Sequence, residues 1–363
     1  MSSLGLWAQT AARCARHSLL HRPPRFDGPL HLLLCVCDHY EPGHGHVTSD
    51  QADARVDSWV NKYPRLFDRF RDSDGRSPRH TFFYPIEMYR PSEVDRLAHL
   101  CRGGFGEVEV HLHHDNDTPD NLRRTLLDWK QLLRTKHELL PRHKQTGQTH
   151  YAFIHGNWAL DNSRPDGRWC GVNNELDVLR ETGCYADFTF PSYPSPTQPR
   201  KINSIYYATD DPSRPRSHDC GIDAGIGPPP ADSLLLVEGP LLLNWESRKF
   251  GLLPRIENAN LQASQPPSAQ RLELWLKAAV RLPGRPDWLF LKLHTHGAPE
   301  PNQRVLLGEP MVRFHELLEA RARQQSGFTY YYVTAREMYN LIKAAEGRWR
   351  GTVAEARDLE LVW

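Results

Sequence analysis

Histidines and carboxylates crowd the ends of several apolar runs in this sequence. The densest group is HLHHDND at 111–117. If the residues leading into it form a strand, alternation places Glu109, His111 and His113 on one face and Val108, Val110 and Leu112 on the other. Polar side chains on an inward face need partners, because burying them alone costs free energy. Imidazoles next to carboxylates are the ligand types of a divalent-metal site. Asp115 stands four residues after His111, and Asp117 four after His113. Asp117 also reads as an extension of the helix cap at Thr118.

Three further runs end the same way. HLLLCVC leads directly into Asp38-His39-Tyr40-Glu41. The run from Trp288 closes with His294 and His296. YAFIH continues into His155-Gly156-Asn157-Trp158, where Gly156 permits close backbone approach and the Trp158 ring offers a flat apolar face to a sugar. Carboxylates and imidazoles at the C-terminal ends of parallel strands sit where α/β folds gather their active sites.

The elements that must position these residues follow from periodicity. Strands are expected at Leu30–Cys37, Thr81–Tyr84, Val108–His113, Tyr151–Ile154, Asp187–Phe190, Leu234–Val237, Trp288–Leu293 and Phe328–Val333. Helices are expected at Pro91–Cys101, Thr118–Arg134, Asn174–Thr182, Ala269–Arg281 and Ala335–Ala345. Alternating strand and helix argues for an α/β fold, read as a parallel (β/α) barrel domain over 29–347, with a doubly wound open sheet as the alternative. The proline-rich stretch 191–268 reads as an elaborated rim insertion. Residues 1–28, with Arg13, Arg16, Arg22 and Arg25 and no acid before Asp27, read as an N-terminal extension or extra helix, and 348–363 as a tail.

Composition narrows the partners. The 363 residues carry a formal charge of +1, so no global field draws in nucleic acid or an anionic membrane. No apolar run approaches the ~20 residues of a membrane span. Seven cysteines without regular spacing suggest no disulfide framework, and Cys35 and Cys37 read as core. With no secretory signal in view, a cytoplasmic location is the default.

An apolar strand ending in a polar pair, a histidine strand and a late strand ending in Leu-His together resemble the polysaccharide deacetylases of the NodB-like glycoside hydrolase/deacetylase superfamily. The resemblance covers roughly 30–345 in order of elements. It implies a distorted barrel of about seven units and a divalent metal on one acidic and two imidazole ligands. The metal would be zinc, with cobalt, nickel or manganese as alternatives. By position, Asp38 matches the first Asp of T-F-D-D, the general base, and His39 falls where the metal-binding second Asp is expected. His111 matches the first His of H-[ST]-x-x-H, and Asp115 occupies the place of the second. His113 or His114 supplies a ligand if the register differs. His294 matches the late catalytic His, with His296 as its alternate. No clear R-x-P-[YF] motif is present, although Arg164 and Arg168 lie in the right region. The implied activity is removal of N-acetyl or O-acetyl groups from a saccharide or polysaccharide, with Asn157 and Trp158 contacting the sugar. Two alternatives stand beside it: a glycoside hydrolase using Glu41, Glu87 or Asp187, and a saccharide-binding protein with a degenerate site.

Overall fold

The computed structural model describes residues 3–21, 28–225 and 227–363. Arg22, Arg25 and Asp27 of the expected extension lie outside the described residues. The principal strands are β1 (Leu30–His39), β2 (His80–Pro85), β3 (Gly106–Leu112), β4 (Tyr151–His155), β5 (Cys184–Asp187), β6 (Ile205–Thr209), β7 (Ser233–Val237), β8 (Arg285–Thr295) and β9 (Phe328–Val333). The principal helices are α1 (Ser3–Leu20), α2 (Ser49–Phe67), α3 (Pro91–Leu100), α4 (Pro119–His137), α5 (Glu175–Thr182), α6 (Ala269–Ala278), α7 (Glu309–Gln324) and α8 (Ala335–Glu346).

The strands form one mixed sheet in the order β8-β1-β2-β3-β4-β5-β7-β6. All pairs from β8 to β7 are parallel, and β7 pairs with β6 antiparallel. β1 is the hub. It pairs with β8 along His31–Asp38, with β9 along Leu30–Cys35, and with β2 over Cys37–His39. β9 and β2 therefore share one edge of β1, which splays the sheet there. Among the described residues no strand pairing joins the two ends of the sheet, so the fold is α/β with flanking helices and without a closed ladder.

Alternation along the strands sorts two cores. Leu32, Leu34 and Val36 of β1 share one core with Val108, Val110, Phe153, Leu289 and Leu291. Helices cover that face through Trp59 of α2, Leu97 of α3, Leu126 of α4, Leu176 of α5, Trp275 of α6 and Phe314 of α7. Leu33, Cys35 and Cys37 point the other way, to Ile154, Trp288, Phe290, Val333 and the Met338–Leu341 face of α8. Each such aliphatic side chain taken out of water contributes about 1.5–3 kcal/mol.

Two helices were not apparent in the periodicity. α2 is polar overall and holds Pro64, yet a Thr48–Gln51 capping box starts it and Val56, Trp59, Tyr63 and Phe67 bury one stripe. α7 follows Gly308 with Pro310 in its first turn. The stretch 191–268 is also more ordered than a rim: it supplies β6 and β7 to the main sheet and a hairpin, Leu242–Lys249 with Leu253–Glu257. α1 packs on that hairpin, with Cys14 beside Leu241 and Ile256. No described helix is long and apolar enough to cross a membrane.

Candidate metal centre

The two-residue period of β1 decides which of its terminal side chains meet. Cys37 belongs to the α8-facing core and Tyr40 to the opposite one, so His39 faces inward and Asp38 outward. Glu41, just past the strand, continues the inward parity and is buried. β3 brings His111 to the same space, and His113 follows it on that side. β8 contributes His296 from just beyond its end.

Glu41 is the centre of the group. Its Oε1 lies 3.4 Å from His111 Nε2 and 3.9 Å from His113 Nε2. Its Oε2 lies 3.0 Å from His44 Nδ1. The donor atoms of Glu41, His111 and His113 all lie within 4.8 Å of one another, as do those of His39, Glu41 and His296. The His39 and His296 rings stack with centroids 4.6 Å apart.

The outer nitrogens of the β3 pair are anchored. His111 Nδ1 donates to the Ile154 carbonyl at 2.7 Å, and His113 Nδ1 lies 2.5 Å from Glu87 Oε1. A carbonyl and a carboxylate only accept, so both rings carry their proton on Nδ1 and turn Nε2 lone pairs toward Glu41. The Nε2 atoms of His111 and His39 are buried without a hydrogen bond. Buried acceptors gathered round a carboxylate suit a cation. The fit of His113 depends on Gly156, where a Cβ would stand 2.4 Å from its ring.

Local electrostatics agree. Burial alone would raise the Glu41 carboxyl, but the imidazoles of His111 and His44 outweigh it and hold it well below the usual carboxylate range. Burial, with neighbouring imidazoles, pushes His39 well below the ordinary histidine value and lowers His296. On the other side, burial would lower His113 but the Glu87 and Glu41 carboxylates outweigh it and raise it, and Glu41 raises His44, so an anionic carboxylate sits between two rings held neutral and two held toward the protonated form.

Of the residues singled out from sequence, the structure brings His39, His111, His113 and His296 together. It does not bring Asp38, Asp115 or His294 to Glu41. Asp38 turns to the helix side, where Oδ2 meets His80 Nε2 at 2.8 Å and Oδ1 accepts the Gly297 N–H at 2.6 Å. Asp115 turns outward to Arg168, 2.7 Å away, and accepts the Trp169 N–H. His294 is buried beside Lys292, and burial with that cation pushes its pKa well down. Trp158 forms a wall, its ring centroid 5.8 Å from His39 and 5.6 Å from His296. It sits at φ +55°, with Asn157 at φ +53°, in the left-handed region where a bulky residue is strained. Glu41 and Glu87 were legible only as carboxylates for glycosidic cleavage. Their place beside imidazoles had one available sign, the matching parity of His39 and Glu41.

A second group, His114, His155, Cys170 and Glu175, has donor atoms equally close together. It stands on the helix side of the sheet, with Cys170 and Phe153 in that core. Both clusters are able to hold a metal ion. No protein-family model matches this chain, and no curated protein does so.

Proposed function

We propose that the chain is a metal-dependent hydrolase that removes acetyl groups, N-acetyl foremost, from a saccharide, as a divergent relative of the polysaccharide deacetylases. The observation that carries this reading is the Glu41 carboxylate set between anchored imidazoles on one side and free, stacked ones on the other. The split edge of β1 supports the distorted barrel that such a relationship implies. So does Lys292 of β8, which donates to the carbonyls of Phe188 and Phe190 just beyond β5.

In this reading Glu41, His111 and His113 hold the ion, and Glu87 fixes the ring of His113. A divalent ion there supplies polarisation of the acyl carbonyl and a water acidic enough to react near neutral pH. His39 and His296, neutral through burial, are the groups placed to accept the water's proton and to return a proton to the departing nitrogen. The acyl C–N bond breaks, acetate takes the water oxygen, and the amine leaves protonated. Asp38 positions the turn that carries His296 through the Gly297 N–H. Trp158 gives the sugar ring an apolar face beside the same two imidazoles.

The experiment is to load the purified chain with zinc, cobalt, nickel or manganese and measure acetate released from N-acetylated and O-acetylated oligosaccharides. Metal-dependent acetate release, lost in Glu41→Gln, supports the reading. Reducing ends without acetate would favour glycosidic cleavage instead, and sugar binding without turnover or metal would sink both.

A further inference from the structure

We propose that His114, His155, Cys170 and Glu175 form a second, structural zinc site, separate from the Glu41 cluster and independent of the proposed activity. His114 Nδ1 lies 3.0 Å from Asp117 Oδ2, and His155 Nδ1 lies 2.6 Å from the Gly156 carbonyl. Both partners only accept, so each ring keeps its proton on Nδ1. With both rings neutral, that leaves two Nε2 lone pairs facing each other at 2.8 Å. Glu175 Oε1 adds a third acceptor, 3.2 Å from one and 3.4 Å from the other.

Cys170 completes the set. Its Sγ lies 3.3 Å from Glu175 Oε2 and receives the backbone N–H groups of Asn162 and Val172. With no ion beside it the sulfur is a thiol that donates to Glu175 Oε2, and burial together with that carboxylate pushes it up to about 12. The thiolate is the form that binds metal, so zinc has to displace this proton. His155, Cys170 and Glu175 are fully buried, and the His114 side chain is 7% exposed. Two neutral imidazole nitrogens and a carboxylate converging in a dry pocket repel one another unless a cation, a metal ion or a shared proton, lies between them. A tetrahedral zinc with nitrogen ligands at about 2.0–2.1 Å separates two such nitrogens by about 3.3 Å. The Glu175 oxygen, at 3.2 and 3.4 Å from the two nitrogens, matches that spacing, and the nitrogens themselves, 2.8 Å apart, would open by about half an ångström around the ion.

The surroundings are built to hold these four in place. Asp117 is the carboxylate behind a ligand imidazole that metal sites commonly use. Gly171, at φ +100°, lets the Cys170 loop close on the β3 end, since a Cβ there would lie 2.6 Å from Asp117 N. The site ties together the ends of β3 and β4, the 163–172 loop and the first turn of α5. It thereby clamps the strained segment that carries Trp158. Binding releases the Cys170 thiol proton to solvent, and the two anionic ligands balance the ion's charge.

Sulfur distinguishes this site from the Glu41 cluster, which has none. Cobalt-exchanged full-length protein should show a near-ultraviolet thiolate-to-cobalt charge-transfer band. Cys170→Ala should abolish the band and lose one equivalent of metal, while Glu41→Gln should keep the band. Zinc X-ray absorption on the wild type needs no variant and should show a sulfur at about 2.3 Å. No sulfur ligand in either wild-type spectrum overturns the proposal and leaves a shared proton as the cation between the rings. Unchanged metal content in Cys170→Ala also overturns it. Loss of acetate release with the band intact would instead count against the hydrolase reading alone.

Discussion

His113 meets Glu87 across 2.5 Å, and this contact sets which of its nitrogens faces Glu41. Glu87 lies in the short turn after β2, so the neighbouring strand orients a side chain following β3. Glu87→Gln keeps the shape but removes the anion that fixes the ring. Metal affinity at the Glu41 cluster should fall about 10–100-fold, with the fold intact. Competition with a chelator of known affinity measures this, and unchanged affinity would mean that His113 is not a ligand.

His111 and His296 should fail differently. His111 has its outer nitrogen anchored, whereas His296 stacks on His39 and is only half-buried. Glu41-site metal should be lost in His111→Ala. His296→Ala should keep it and lose about 10²–10⁴-fold in kcat, the usual range for one proton-transfer group. Metal content measured alongside turnover separates the two. Full turnover in His296→Ala would move proton transfer elsewhere.

Much of the scaffold was readable from the chain, and the reason is parity. The alternation in EVEVHLH placed Glu109 and His111 opposite Val108 and Val110, as the two cores show. β5 lies at Cys184–Asp187, earlier than the expected Asp187–Phe190, because Thr189 and Phe190 follow a carboxylate that caps the turn through the Thr189 N–H. The site was harder. Asp38 and His39 are adjacent in sequence but face opposite sides of β1, and Asp38 is taken up there by His80 and the Gly297 N–H. Asp115 has the right distance along the chain from His111, yet the backbone leaves the strand at Leu112, and spacing no longer sets direction. Cys170 and Glu175 come from a loop and a helix start, where no periodicity links them to His114 and His155.

Trp158 should act on binding more than on chemistry. Its ring borders His39 and His296 but offers no group to transfer a proton there, and its Nε1 is buried without a partner. Trp158→Ala should raise KM roughly tenfold for oligosaccharides, about the loss of one stacked aromatic contact. Turnover should change only a few-fold. A short acetylated substrate that cannot reach the ring should show little change in KM, and an equal loss for both substrates would refute the platform role.

Stability should depend on acid through Glu337 at the start of α8. The carboxylate is fully buried and contacts Arg79 at 2.5 Å, Arg76 at 3.0 Å and Arg357 at 3.3 Å, while also accepting the Thr334 N–H. Burial alone would raise its pKa, but these arginines, with Arg336, outweigh it and hold the group well below its ordinary value of 4.5. A carboxyl depressed in the fold stabilises fully above its unfolded value, and that contribution drains away as pH falls below about 4.5. Glu337→Gln removes the anion that Arg76, Arg79 and Arg357 share; Arg357 keeps Asp72 and Asp74, at 2.9 and 3.1 Å, while Arg79 loses its carboxylate partner, which should cost about 1.5–3 kcal/mol at neutral pH. The gap between wild type and variant should therefore be flat above pH ~5 and narrow as acid is added. Denaturant unfolding of both proteins in chelator, which removes metal ligands from the comparison, measures that gap. A gap that widens in acid would reverse the assigned sign.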